Sequence, residues 1–188
     1  MHEYFGGEKV GYLKKYRINF RDLNIGTHNF TFEIEDRFFA NFEKSEIQEG
    51  QLESRVTLTK EERLITLDII IEGEVNVTCD RCLEYFMYPI YFKGILYIKP
   101  EAEEEAEEDN DEVIKITPDQ SFVNLAQYLY ESIHLSLPLK RTHPDDENGN
   151  STCNKEMLEL LRQHQKEENK ETVDPRWEKL KNINVKRN

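Results

Sequence analysis

Apolar residues at every second position run through the first half of the chain, and this period constrains the fold more than any other feature. The clearest examples are Phe30, Phe32 and Ile34, then Leu52, Val56 and Leu58, and then Val75 and Val77. Successive side chains of a β-strand point to opposite faces, so the period predicts strands that each bury one face. The segment LITLDIII at residues 64–71 has the same strand-like character.

Turn signals separate these strands along the chain. Gly50 lies in IQEGQ and Gly73 lies in EGE, and these spacings favour antiparallel neighbours over helical crossovers. The simplest topology is a meander. The aromatic and β-branched segment YFMYPIYFKGILYI, residues 85–98, continues it and is expected to end it. Pro89 and Gly94 within this segment indicate an edge strand or a bulge.

The second half changes from a strand period to a helical period. After the strand-like VIKI at residues 113–116, Thr117 is a candidate N-cap, with Pro118 and Gln120 in the first turn of a helix. The apolar stripe of this helix comprises Phe122, Leu125, Ala126, Leu129 and Ile133. His134 lies beside the stripe, and we interpret it as a structural histidine.

Two further helices are predicted, one after Cys153 and a short terminal one in DPRWEKLK, residues 174–181. The fold class is therefore α+β, with a mostly antiparallel β-sheet or open barrel-like meander first and two to three helices in the second half. We expect a single domain over residues 1–165, followed by a charged C-terminal tail over residues 166–188.

One tract makes the chain acidic. The formal net charge is −13, and residues 101–112, EAEEEAEEDNDE, contribute nine acids and no base. The overall charge argues against a uniformly basic nucleic-acid binder. The tract has too few apolar residues to offset the entropy of ordering, so it is predicted to be a disordered insertion. It is either a solvated loop or a segment that binds a basic partner.

The sequence indicates a cytoplasmic protein. The first 30 residues lack an apolar signal-peptide core, and the apolar runs are too short to span a bilayer, so no membrane partner is expected. The chain has three cysteines, an odd number that fits a reduced compartment better than a secreted disulfide framework.

Two of the three cysteines, Cys79 and Cys82, form a Cys-x-x-Cys pair in VTCDRCL. Such a pair is half of a zinc site, a redox-active dithiol, or two small residues that pack together. The polar loop over residues 142–152 carries His143 and leads to Cys153, so it could supply a second pair of ligands. A metal would give this long loop a reason to be ordered.

The order of these motifs resembles a known family. VTCDRCL after a mostly β first half, the acidic insertion, LSLPLKRTHP after a helix, and DPRWEKLK near the end are together similar to the YceD family of bacterial and plastid proteins. The resemblance implies a non-enzymatic role in the accumulation of 23S-type ribosomal RNA during large-subunit assembly. Its implied partners are precursor ribosomal RNA or a large-subunit ribosomal protein.

Many relatives have further cysteines after the Leu-Pro segment, where this chain has His143 and Cys153. Zinc accepts thiolate and imidazole in one tetrahedral shell, so the chain could form a Cys₃His zinc site. Its candidate ligands are Cys79, Cys82, His143 and Cys153.

Basic residues are candidate contacts to RNA phosphates, with ordinary surface charge as the alternative. They are Lys14, Lys15, Arg17, Arg21, Arg81, Lys140 and Arg141. No catalytic motif is recognisable, and no small-molecule substrate is expected. Two other functions stay open, namely a cytosolic thiol/disulfide protein that uses Cys79 and Cys82, and an acidic chaperone of a basic ribosomal protein.

Overall fold

The computed structural model describes residues 11–100, 113–117 and 119–168. The predicted acidic insertion and the predicted terminal helix lie outside these residues, as does Pro118. Among the described residues, no helix is both long enough and apolar enough to cross a bilayer.

The chain divides into two compact units. Among the described residues, the larger contains residues 11–79, 85–100, 113–117 and 119–141, and the smaller contains residues 80–84 and 142–168. In chain order the larger unit has a 3₁₀ helix (Leu13–Tyr16), β1 (Arg17–Asn19), β2 (Gly26–Ile34), α1 (Asp36–Phe39), β3 (Gly50–Lys60), β4 (Ile65–Thr78), β5 (Tyr85–Pro100), β6 (Val113–Ile116), β7 (Phe122–Asn124) and α2 (Ala126–Leu135). The smaller unit contains α3 (Lys155–Glu168).

Five strands of the larger unit form one open sheet in the order β2-β3-β4-β5-β6. β2 to β5 are antiparallel neighbours in sequence order, as the meander prediction requires. The fold-class prediction of an α+β protein with a mostly antiparallel sheet is confirmed, and the described strands do not close into a barrel. β6 differs because it pairs in parallel with the last four residues of β5.

The alternating sequence pattern becomes an alternating burial pattern. Inward positions of β3, such as Val56 and Leu58, are almost fully buried, whereas the residues between them face outward. α2 packs on the buried face of the sheet through the aromatic contact of Tyr128 with Phe92. The N-terminal segment adds the buried Tyr16, whose hydroxyl donates a hydrogen bond to the carbonyl of Glu33 at 2.9 Å. One core therefore serves the sheet, α2 and the N-terminal segment.

The predicted start of the helix at Thr117 was wrong. Phe122, Val123 and Asn124 form β7, which pairs antiparallel with β1, and α2 begins only at Ala126. The side chain of Asn124 accepts a hydrogen bond from the Ala126 N–H at 3.0 Å. Strand pairing thus overrides the local capping chemistry. The rest of the predicted stripe, Leu125, Ala126, Leu129 and Ile133, is buried as expected.

The turn predicted at Gly73 was also wrong, because β4 continues through it. Gly73 has a φ of +148°, and a Cβ placed there would lie 2.2 Å from the carbonyl oxygen of Gln51 on β3. The glycine is required by this backbone conformation and by the close approach of the neighbouring strand.

Pro89 and Gly94 have different roles in β5. Pro89 lies where β5 pairs with β4 on one side only, since β6 reaches no further than residues 97–100. The edge interpretation of Pro89 is therefore confirmed for the described residues. Gly94 forms no bulge and pairs regularly with Ile69. It leaves room for the Tyr128 hydroxyl, which would lie 2.7 Å from a Cβ at this position.

Candidate metal centre

The turn between β4 and β5 carries the Cys-x-x-Cys pair. β4 ends at Thr78 and β5 begins at Tyr85, so a short turn contains both cysteines. Leu83, directly after Cys82, has a φ of 62°, which for an L-residue brings Cβ close to the following carbonyl oxygen. This backbone conformation lets the chain reverse direction immediately after the second cysteine.

The structure brings the four candidate ligands together. The ligand atoms of Cys79, Cys82, His143 and Cys153 all lie within 4.8 Å of one another. The imidazole Nδ1 of His143 lies 3.4 Å from the sulfur of Cys82 and 3.7 Å from the sulfur of Cys153. The three cysteines are buried and His143 is half-buried. None of the cysteines is in a disulfide.

The loop that supplies the second pair of ligands is ordered by its own hydrogen bonds. A carboxylate oxygen of Asp146 accepts hydrogen bonds from the N–H groups of Asn148 and Asn150, at 2.9 and 2.7 Å. The pKa of the Asp146 carboxyl lies below its usual range, mainly because the carboxylate accepts the hydrogen bond from the Asn150 N–H. The Thr152 hydroxyl donates to the Pro144 carbonyl at 2.6 Å. These bonds close the loop between His143 and Cys153.

Side chains of the smaller unit connect the turn to the loop and helix. An Arg81 N–H donates to the Ser151 hydroxyl at 3.1 Å, and the Asn154 amide donates to the Glu84 carboxylate at 2.7 Å. Asn154 also caps α3, because its side-chain oxygen accepts from the Glu156 N–H at 2.9 Å. Sequence reasoning missed Ser151, Asn154 and Glu84. Only Asn154 had a local signal, as an asparagine placed just before a helical period.

The chemistry of this group fits a tetrahedral metal. Three thiols and one imidazole provide the four soft or borderline donors that a structural zinc site uses, and the Cys-x-x-Cys spacing is typical of such sites. Four protein ligands would complete the shell and leave no open position for substrate or water. The arrangement can therefore hold a structural ion.

The predicted RNA-contact residues fall into two groups. Arg17, Arg81 and Arg141 are half-buried, and each interacts within the protein. The Arg17 guanidinium lies 4.4 Å from the ring centre of Phe122, Arg81 binds Ser151 as described above, and Arg141 forms an ion pair with Glu46 at 2.6 Å.

The remaining candidates are exposed, namely Lys14, Lys15, Arg21 and Lys140. The Lys15 ammonium lies 4.3 Å from the Tyr12 ring centre, and Arg21 lies 3.4 Å from the carbonyl oxygen of Gln120. Whether any of these residues contacts RNA stays a prediction.

An open, mostly antiparallel sheet followed by helices, with a Cys₃His group at the end of a hairpin, defines a small α+β protein with a candidate structural metal centre. The chain belongs to the YceD family. Residues 67–184 match the family model described as large ribosomal RNA subunit accumulation protein YceD, which confirms the resemblance read from the motifs. The match covers more than half of the chain and includes all four candidate ligands. No curated protein and no solved structure matches the chain significantly.

Relieving the backbone conformation of Leu83 should stabilise the turn. We expect Leu83→Gly to raise the free energy of unfolding by about 1 kcal/mol, because glycine removes the Cβ–carbonyl conflict at positive φ. Leu83 is 65% exposed, so little packing is lost. Chemical denaturation measures the change. A loss of stability of similar size would show that the leucine side chain, and not its backbone, matters to the turn.

Proposed function

We propose that the protein is a non-enzymatic, cytoplasmic factor that supports the accumulation of 23S-type ribosomal RNA during assembly of the large ribosomal subunit. Membership of the YceD family is the single observation that carries this proposal, because the family description names large ribosomal RNA subunit accumulation. We expect residues 1–165 to act as one domain, with residues 166–188 as a charged tail.

We propose that zinc is the ion held by Cys79, Cys82, His143 and Cys153. The proximity of the four ligand atoms and the mixed sulfur and nitrogen donor set support zinc. When bound, the ion would link the turn after β4 to the loop over residues 142–152. Its role in the proposed function is then to present this loop and the adjacent basic residues in one fixed conformation.

The burial of the cysteines makes a thiol/disulfide function less favourable. Cys79, Cys82 and Cys153 are at most 3% exposed, whereas thiol exchange requires attack on or by an accessible thiolate. The neighbouring imidazole is also better explained as a fourth ligand than as part of a dithiol site. We therefore prefer a structural role for Cys79 and Cys82.

Depletion in the organism of origin tests the ribosomal role. We expect depleted cells to contain less large-subunit than small-subunit ribosomal RNA, and a plasmid copy of the gene to restore the normal ratio. Quantification of the two RNA species from total RNA gives the result. A normal ratio in cells that lack the protein would overturn the proposed function.

Removal of residues 101–112 should separate two kinds of partner binding. Because the tract repels itself and has little apolar surface, we expect its deletion to shift the melting temperature by no more than about 2 °C. If the tract captures a basic ribosomal protein, the deletion should abolish that binding and leave RNA binding intact or stronger. Calorimetry and binding measurements on the same preparation decide this, and a large fall in melting temperature would show that the tract is part of the fold.

A further inference from the structure

The outward face of β5 carries a row of exposed apolar and aromatic side chains. Tyr85, Met87, Tyr91 and Ile95 are 71%, 48%, 64% and 38% exposed, and they follow the two-residue period of the strand. We refer to these four residues as the β5 stripe. Their inward neighbours Ile90 and Leu96 are buried in the core, so the stripe is the face of β5 that the core does not use.

Folding does not account for the composition of the β5 stripe. Outward positions of the other long strands are mostly threonine, asparagine or charged residues, such as Thr31 on β2 and Thr57 on β3. Contiguous exposed apolar side chains in a soluble protein mark surfaces that bind other molecules. Tyrosine and methionine are also among the residue types enriched at protein interfaces. The stripe therefore has the chemistry of a docking surface.

Carboxylates on β4 flank the β5 stripe along most of its length. In the strand register Asp68 lies opposite Ile95, Glu72 lies opposite Tyr91, and Glu74 lies opposite Pro89. Glu72 is ion-paired with Arg55 of β3. Asp68 and Glu74 are exposed, and neither forms an ion pair with another described residue.

Lysines are fewer than carboxylates along the length of the stripe. Lys93 lies between Tyr91 and Ile95, and Lys99 lies further along β5 with Lys115 of β6 opposite it. Along the stripe itself, the carboxylates of Asp68 and Glu74 outnumber the single lysine, Lys93, and Glu72 is already paired with Arg55. A cationic ligand is therefore favoured there over phosphates. The charge therefore favours a basic polypeptide over RNA.

We infer that the β5 stripe and the carboxylates of β4 form a docking surface for an extended, basic segment of another protein. Aliphatic and aromatic groups of the segment would cover Met87 and Ile95. Its arginine and lysine side chains would lie on the faces of Tyr85 and Tyr91 and pair with Asp68 and Glu74. The choice of a large-subunit ribosomal protein as the source of the segment rests on the proposed function.

The test measures direct binding by the full chain. Individually purified large-subunit ribosomal proteins serve as one set of probes, and a protein-free transcript of the large-subunit RNA serves as the other. The variant Met87→Thr with Tyr91→Thr removes the centre of the stripe while keeping residues that favour strands. Leu139→Thr is the matched control, because Leu139 is a fully exposed apolar residue outside the sheet.

We expect at least one basic ribosomal protein to bind, and the stripe variant to weaken its binding by about tenfold or more, as for loss of an interface hot spot. The control should bind like the unmodified chain. Asp68→Lys with Glu74→Lys should weaken the same interaction and make it less dependent on salt. Thermal unfolding of each variant checks that the fold is intact.

Three binding results would overturn the inference: no basic ribosomal protein binds, the stripe variant binds as tightly as the control, or the stripe variant loses binding to the transcript instead. The last result would make β5 an RNA-binding face. The cellular RNA ratio keeps this inference separate from the proposed function. If a stripe variant restores a normal ratio in depleted cells, the docking surface is contradicted and the ribosomal role is not. If cells without the protein have a normal ratio, the ribosomal role itself is contradicted.

Discussion

Protein purified under reducing conditions should contain about one zinc ion per chain, as expected for a single shell of four protein ligands. His143→Ala should lower the zinc content to nearly zero after dialysis, because the remaining three thiols leave the shell open. His164→Ala is the matched control, since His164 is an exposed histidine on α3, and this variant should keep its zinc. Elemental analysis measures all three proteins.

Removal of the metal should have a local effect. We expect a chelator to increase hydrogen exchange over residues 142–152 much more than over β3 and β4, because the sheet has its own apolar core and does not need the ion to fold. Metal-free protein in which the loop exchanges as slowly as before would contradict the metal centre. Equal zinc content in the His143 and His164 variants would contradict the assigned ligand.

Gly73→Ala should destabilise the protein more than the same substitution at any other glycine that the structure describes. We expect a loss of about 3 kcal/mol or more in the free energy of unfolding, because the new Cβ would combine an unfavourable φ with overlap on β3. A Cβ would lie 2.2 Å from the Gln51 carbonyl oxygen and 2.5 Å from the Leu52 Cα. Denaturant unfolding of purified protein measures the loss.

Gly26→Ala separates the two causes. Gly26 also has a positive φ, of 134°, but no atom lies within 4 Å of a Cβ placed there. The free energy of unfolding of this variant should therefore fall by only about 1 kcal/mol, the contribution of backbone conformation alone. Equal losses for the two variants would show that the close approach of β3 at Gly73 relaxes without a measurable penalty.

The sequence was most informative where a short-range period determines the structure. Alternation and turn signals predicted an antiparallel meander, because burial of one face fixes which residues point inward, although the turn predicted at Gly73 wrongly divided β4. The sequence could not predict β7, since Phe122 fits a helical stripe equally well and only pairing with β1 selects the strand. Gly73 was interpreted as a turn for a related reason. The residues that require a glycine there, Gln51 and Leu52, lie on the neighbouring strand β3.

The candidate site depended on long-range proximity, which the sequence could only suggest. The Cys-x-x-Cys spacing indicated half a site, and His143 and Cys153 were inferred as partners from the chemistry of zinc and from the family resemblance. His143 and Cys153 follow Cys82 by more than sixty residues in the sequence. Sequence spacing alone therefore does not show that they are close in the fold. The bonds from Arg81 to Ser151 and from Asn154 to Glu84 were not predictable, because serine, asparagine and glutamate are common on any surface.

We propose that the metal centre organises the part of the protein that supports large-subunit RNA. The most direct measurement is the ratio of large-subunit to small-subunit ribosomal RNA in cells whose only copy of the protein carries Cys79→Ser and Cys82→Ser, expressed at the level of the unmodified protein. We predict a deficit of large-subunit RNA equal to that of depleted cells, while Leu139→Thr restores the normal ratio. A normal ratio with the double cysteine variant would contradict the claim.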